Sequence, residues 1–119
     1  MYSERLLDYF EHPRNAGEVP NPDAAVEVEN PACGEILRLS IKVESGRIAD
    51  IRFRAKGCVP AMACGSALTE LVKGRTLAEA REFGRHDLLR AVESLPEAST
   101  HAPQLALDAL GALLNKIKT

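Results

Sequence analysis

The sequence predicts a small α+β domain in which helices cover one face of a three-stranded antiparallel sheet. In the first half of the chain, apolar and polar residues alternate, as they do along half-buried strands. In the second half, apolar residues recur at the spacing of helical faces, and strands followed by helices are typical of α+β domains. With 119 residues, the chain is expected to form one domain over residues 1–119 and to bury roughly two-thirds of its unfolded surface.

Two of the strands are predicted to pair as an antiparallel hairpin. Apolar residues alternate with charged or polar ones over residues 37–44 and again over 51–56, and Ser45-Gly46 makes the turn between them. A shorter strand over residues 26–29 precedes them and ends at Asn30-Pro31. Each strand has one apolar face and one charged face, so helices are expected to cover the apolar one.

Helices are predicted on both sides of the strand region, with capping residues, prolines and glycines at their boundaries. Ser3 is a suitable cap for a first helix that reaches Glu11 and is stopped by Pro13, and residues 14–23 have the composition of a loop. The later helices are one from Pro60 to Gly74, a short one opened by Thr76, another containing Leu88, Leu89 and Val92, and a last one with Pro103 in its first turn.

Composition and charge exclude several classes of function. The hydrophobic share of 45% and charged share of 27% are those of a globular protein, and a net charge of −2 without any Lys/Arg run argues against nucleic acid as a partner. No apolar run is long enough to span a membrane and the N-terminus lacks a secretory signal, so we expect a cytoplasmic protein. Three cysteines without disulfide-framework spacing are then expected to be reduced and available for metal or sulfur chemistry.

Cys33 and Cys58 lie in loops that flank the predicted hairpin. Cys33 stands next to Gly34 just before one strand, and Cys58 follows Gly57 just after the other. Because an antiparallel hairpin returns to the edge from which it started, both thiols are expected at the same end of the sheet. Cys58 also precedes the helix at Pro60, where the positive end of the helix dipole favours a thiolate. The alternative interpretation is that both are small buried apolar residues.

His101 is a third candidate ligand, because it lies between the Leu95-Pro96 turn and the last helix. Ala102 precedes a proline and is expected to be the N-cap of that helix, although alanine is worse than Ser, Asp or Asn there by on the order of 1 kcal/mol. Such a poor cap suggests a cluster of open N–H groups beside His101. Glu35 is either an oxygen ligand or a solvated carboxylate at the start of a strand. A tetrahedral Zn²⁺ site can be completed by Cys33, Glu35, Cys58 and His101.

Cys64 is the third thiol, and it falls on the apolar stripe of its helix together with Ala67 and Leu68. It is interpreted as a core residue first, and a role as a ligand stays open because it lies only about 6 Å of helix rise beyond Pro60. The other two histidines stand among charged residues and are expected at the surface.

Several motifs occur in order along nearly the whole chain. Tyr2-Ser3-Glu4 and Pro13-Arg14-Asn15 open it, Asn30-Pro31-Ala32-Cys33-Gly34-Glu35 follows, then Gly57-Cys58 with Thr69-Glu70, and finally Leu95-Pro96 with His101. Together these motifs resemble the iron–sulfur cluster assembly scaffold family of the IscU/NifU N-terminal type. Three departures are visible: Ala102 replaces the third family cysteine, Glu35 replaces the usual Asp, and Leu95-Pro96-Glu97-Ala98-Ser99 replaces the stretch that a dedicated chaperone reads.

The resemblance implies an α+β fold and the transient assembly of a [2Fe–2S] cluster, or the binding of iron, through Cys33, Cys58 and His101. Zn²⁺ is a further occupant that it implies. It also implies a cysteine desulfurase that supplies sulfur and acceptor proteins that receive the cluster, whereas the changed stretch at residues 95–99 argues against the dedicated chaperone as a partner.

Two functions are therefore weighed. The first is a scaffold or carrier for iron–sulfur clusters, which is not an enzyme, because the chain has no Ser/His/Asp arrangement, phosphate loop or paired-carboxylate motif. The alternative is a degenerate paralogue that acts as a zinc-binding or protein-interaction module of the sulfur-transfer machinery without assembling clusters.

Overall fold

The computed structural model describes residues 2–30, 34–93, 95 and 101–117. The elements are, in chain order, α1 (Glu4–Glu11), β1 (Ala24–Asn30), β2 (Glu35–Glu44), β3 (Arg47–Lys56), α2 (Val59–Val72), α3 (Leu77–Glu82), α4 (Arg85–Val92) and α5 (His101–Lys116). The strands form one antiparallel sheet in the order β1-β2-β3, which confirms the predicted α+β class. Within these ranges, no helix is both long and apolar enough to cross a membrane.

β2 and β3 form the predicted hairpin. Ser45 and Gly46 both have positive φ angles, 53° and 75°, as in the tight two-residue turns whose twist suits a hairpin. The pairing continues from this turn to Ile36 opposite Lys56. Residues just before β2 and just after β3 therefore meet at the end of the sheet opposite the turn.

The helices cover the apolar face of the sheet. α2 packs on β3, α5 packs on β1 and β2, and α1 and α4 pack on α2. Fully buried side chains on the inner face of the sheet include Leu37, Leu39, Ile41 and Ile51, each 0–1% exposed. Burial of each such side chain contributes about 1.5–3 kcal/mol. This core holds the strand ends and the helix starts in fixed positions.

The segment between α1 and β1 crosses the opposite, charged face of the sheet. The Gly17 N–H donates to the Phe53 carbonyl at 2.9 Å, and the Phe53 N–H donates to the Asn15 carbonyl at 3.0 Å, along the outer edge of β3. The Val19 N–H then donates to the hydroxyl of buried Ser40 at 2.9 Å. Loop composition was predicted here, but its course depends on backbone contacts that composition does not reveal.

Several boundaries differ from the predictions. β2 begins at Glu35 and β3 at Arg47, earlier than the predicted residues 37 and 51. β1 extends over Ala24–Asn30 rather than residues 26–29, because every residue of it pairs with β2. α5 begins at His101, so Ala102 lies in its first turn and not at the N-cap. Ala102 is 1% exposed and belongs to the apolar core, which stabilises this placement. The expectation of an alanine cap beside open N–H groups is therefore wrong, and residues 96–100 lie outside the described part of the chain.

Candidate metal centre

Glu35 is the first residue of β2 and occupies the centre of the candidate site. It pairs with Asn30 at the end of β1, and it is only 2% exposed. A buried carboxylate is costly unless polar groups or a cation surround it. The alternative of a solvated carboxylate at a strand start is therefore wrong.

Cys58 reaches Glu35 from the neighbouring strand end. β3 ends at Lys56, Gly57 turns the chain, and Cys58 is the N-cap of α2. The Cys58 backbone N–H donates to Oε2 of Glu35 at 3.4 Å, and the Cys58 Sγ contacts the same oxygen. One carboxylate oxygen of Glu35 therefore contacts both the backbone N–H and the thiol of Cys58.

His101 reaches the other oxygen of the same carboxylate. It opens α5, and the packing of α5 on β1 and β2 brings its imidazole to this end of the sheet. The Nε2 atom of His101 lies 2.7 Å from Oε1 of Glu35, and a third of the imidazole side chain is exposed. The site is therefore buried on the side of Glu35 and open on the side of His101.

Glu35, Cys58 and His101 each offer one ligand atom, and these atoms lie within 4.8 Å of one another. A tetrahedral zinc ion with bonds of about 2.0–2.3 Å holds its ligand atoms roughly 3.5 Å apart. Small side-chain movements, which separate the Oε1 atom of Glu35 and the Nε2 atom of His101 from their 2.7 Å contact, would therefore let all three residues bind one ion.

Two atoms of this group lack the partners that buried polar atoms need. Oε1 of Glu35 and Nε2 of His101 are buried, and neither has a hydrogen-bond partner among the described residues although they lie 2.7 Å apart. Proximity without directional alignment is not a hydrogen bond. An unpaired buried polar group costs about 1–3 kcal/mol, and a metal ion bound between two such atoms would satisfy both. The donor set therefore fits a metal ion.

The surroundings of Cys58 favour its protonated thiol. Burial first, and then the hydrogen bond to Glu35, raise the pKa of Cys58 to about 11, although the backbone N–H of Ala61 in α2 lowers it. The predicted thiolate at the helix N-terminus is wrong for the protein alone, because desolvation and the carboxylate outweigh the helix. A bound cation reverses this balance, since the thiolate is the form that coordinates metals.

Cys64 is confirmed as a core residue. It is 0% exposed within the apolar core, and burial raises its pKa to about 12. It is not one of the three described residues whose ligand atoms converge. His12 and His86 are exposed, as predicted.

Cys33 lies outside the described residues, so its predicted convergence with Cys58 stays a prediction. Its described neighbours Asn30 and Gly34 lie at the end of the sheet where Glu35 is found, and the Gly34 N–H donates to the Asn30 carbonyl at 2.8 Å.

Sequence reasoning did not find the central position of the Glu35 carboxylate between Cys58 and His101. A signal for its burial was present in the alternation of β2. Side chains two residues apart point to the same face of a strand, so Glu35 shares the buried face with Leu37 and Leu39. A carboxylate on the apolar face of a strand is a strong indication of a polar site.

Comparisons with known proteins show the family of the chain. Residues 1–119 match the family described as NifU-like N terminal domain. The chain is 41% identical over 110 residues to the Archaeoglobus fulgidus protein named iron-sulfur cluster assembly scaffold protein IscU 1, covering 92% of this chain and 72% of that protein. It is also 41% identical over 122 residues to the Escherichia coli protein named iron-sulfur cluster assembly scaffold protein IscU, covering 99% and 94%.

A solved structure shows the same fold. The N-terminal part of a NifU-like protein from Brucella abortus superposes with a TM-score of 0.78, covering 97% of this chain and 92% of that one at 22% identity.

Proposed function

Because the chain belongs to the NifU-like N-terminal domain family, we propose that it is a scaffold on which an iron–sulfur cluster is assembled and from which it is passed on. The observation that carries the proposal is the convergence of ligand atoms from Glu35, Cys58 and His101 at one end of the sheet. The cluster is cargo, so this proposal describes a carrier and not an enzyme.

The ligand set that we propose consists of Glu35, Cys58 and His101, with Cys33 as the fourth member. Two thiols, an imidazole and a carboxylate suit Fe²⁺ or Zn²⁺, and iron–sulfur clusters accept His in place of Cys. A [2Fe–2S] cluster is the proposed cargo, and it supplies positive charge that stabilises the thiolates. Glu35 contacts the Cys58 thiol through Oε2, and its Oε1 lies 2.7 Å from Nε2 of His101, so the carboxylate stands between the two other ligands.

The partial exposure of the site supports transfer between proteins. Cys58 is half-buried and a third of the His101 side chain is exposed, so the site lies just beneath the surface, although Oε1 of Glu35 and Nε2 of His101 are themselves buried. We propose that a cysteine desulfurase delivers sulfur there and that acceptor proteins take the finished cluster. A cytoplasmic location belongs to the same proposal. The stretch at residues 95–99 argues against recognition by the dedicated chaperone.

Anaerobic reconstitution of the full chain with Fe²⁺ and sulfide tests the proposal. We expect a stoichiometric visible absorption band of the cluster, and its loss in Cys58→Ala. Cys64→Ala is the matched control, because it removes a thiol from the same helix without touching the converging ligand atoms. It is expected to lose some stability and to keep the cluster.

Two results would contradict the scaffold. One is tight Zn²⁺ binding with no cluster at any iron concentration, which is the behaviour of a zinc-binding or interaction module. The other is a cluster that Cys58→Ala retains in full, which would place the cluster elsewhere in the chain.

A further inference from the structure

We propose that Gly57 is a positioning residue for Glu35, because its missing side chain leaves the room in which the stem of Glu35 lies. The inference rests on the proposed metal-binding role of Glu35, Cys58 and His101. Gly57 offers no ligand atom of its own, so it acts through the placement of the carboxylate.

The contact between the two residues is close. A Cβ atom added at Gly57 would lie 2.7 Å from Cγ of Glu35, 3.1 Å from its Cβ and 3.4 Å from its Cα. Carbon atoms that are not bonded pack at about 3.5–4.0 Å, so the Glu35 side chain would have to move. The nearest atom is the Cγ that carries the carboxyl group, and its displacement is passed directly to both oxygens.

Those oxygens are the atoms that connect the site. Oε2 of Glu35 accepts the Cys58 N–H at 3.4 Å and contacts its Sγ, and Oε1 lies 2.7 Å from Nε2 of His101. Because Glu35 is only 2% exposed, close-packed neighbours leave it little space for another position. A side chain at residue 57 would therefore move the carboxylate away from both other ligands.

The backbone of Gly57 provides a second reason for glycine. Its φ angle is +142°, a conformation that residues with a side chain rarely adopt. A substitution could therefore act by straining the chain that carries Cys58, independently of Glu35. A double-mutant cycle separates these two routes.

Anaerobic titration of the full chain with Co²⁺ is the test, because the sulfur-to-cobalt charge-transfer band reports thiolate coordination. For Gly57→Ala we expect about 10- to 100-fold weaker Co²⁺ binding, the loss typical of groups that orient metal ligands. Gly46→Ala is the matched control. Gly46 also has a positive φ, +75°, but nothing lies within 4 Å of an added Cβ and it is at the hairpin turn. Its Co²⁺ affinity is expected to be unchanged.

Glu35→Ala and the double variant complete the cycle. If Gly57 acts through Glu35, then adding Gly57→Ala to Glu35→Ala weakens Co²⁺ binding no further. Should Gly57→Ala alone fail to fold, the double variant is expected to fold, because the Cγ in closest contact is gone.

Three results would overturn the inference: unchanged Co²⁺ binding in Gly57→Ala, an equal loss in both backgrounds, or a double variant that fails to fold when Glu35→Ala folds. Failure of the proposed function looks different. In that case Glu35→Ala by itself binds Co²⁺ as tightly as the unmodified chain, whatever stands at position 57.

Discussion

The two ends of the same three-stranded sheet are completed in opposite ways. At the hairpin end, Ile48 donates its N–H to the Arg75 carbonyl and accepts the Gly74 N–H, both at 2.8 Å, so backbone groups pair with the segment that leads into α3. At the other end, side-chain atoms of Glu35 and His101 are buried without hydrogen-bond partners within the described ranges.

Among the described residues, the group of converging ligand atoms lies at the site end of the sheet and not at the hairpin end. The same core supports both ends. At the hairpin end, the backbone N–H and carbonyl groups of Ile48 are hydrogen-bonded to other backbone groups. At the site end, three polar side chains from β2, β3–α2 and α5 face one another and leave ligand atoms for something else. Oδ1 of Asp50 in β3 is likewise buried without a hydrogen-bond partner, but only at the site end do such atoms belong to side chains whose ligand atoms converge among the described residues. This convergence supports the proposed binding site.

The largest effect on metal binding is expected from the removal of His101 at the site end. In His101→Ala we expect Zn²⁺ affinity to fall by more than about 100-fold. Mutation of a group that only orients a ligand already lowers metal affinity by about 10- to 100-fold, and removal of a ligand should lower it further. Stability should change little, because the imidazole is partly exposed. Competition with a chromophoric chelator under anaerobic conditions measures the affinity, and His86→Ala, at an exposed position, is the control. An affinity equal to that of the unmodified chain would remove His101 from the ligand set.

Ser40 lies between the two ends and tests whether stability and binding are separable. Its buried hydroxyl accepts the Val19 N–H at 2.9 Å, so Ser40→Ala leaves that N–H unpaired. We expect a loss of about 1–3 kcal/mol in the free energy of unfolding, measured in urea, with Zn²⁺ affinity unchanged. A loss of metal affinity as large as the loss of stability would show that the middle of the sheet and the site are coupled.

Gly46→Ala perturbs the hairpin end alone. Because Gly46 has a φ of +75°, the added Cβ should cost about 1–2 kcal/mol of stability. Urea unfolding measures this loss, and cluster retention should match that of the unmodified chain. An unchanged free energy of unfolding would mean that the turn relaxes to another conformation.

The smallest effect is expected from acid at Asp23. Its Oδ2 accepts the Val43 N–H at 2.7 Å, and this bond above all, with the Lys42 charge, holds the pKa of Asp23 below its ordinary value of 3.8. Since the folded-state pKa is the lower one, this contribution is complete above the unfolded pKa and is lost as the pH falls through the folded value. Asp23→Asn should therefore be less stable than the unmodified chain at about pH 7. At about pH 3 the urea midpoints of the two proteins should differ less. A difference in urea midpoint that is the same at both pH values would contradict a stabilising role of the Asp23 carboxylate.

Much of the fold could be predicted because local pattern and tertiary structure agree. The alternation of β2 and β3 and the turn at Ser45-Gly46 predicted a hairpin that the structure confirms. Ser3 caps α1 as predicted, accepting the Leu6 N–H at 3.0 Å. These features depend on the residues of the segment itself, so one sequence suffices to see them.

The errors fall where a distant part of the chain decides. The length of β1 depends on its pairing with β2, and the start of α5 depends on the burial of Ala102 in the core. The protonation of Cys58 was predicted from its helix alone and was wrong, because burial and a carboxylate from another strand outweigh the helix.

The strand and helix periodicities, the turn at Ser45-Gly46 and the residue types able to bind a metal could be predicted from the sequence, because each depends on chemistry within a few neighbouring residues. The burial of Glu35 between Cys58 and His101 could not, nor could the lack of hydrogen-bond partners for Oε1 of Glu35 and Nε2 of His101 among the described residues. Those facts arise from the packing of α2 and α5 against one end of the sheet, where distance, desolvation and charge act between residues far apart in the chain.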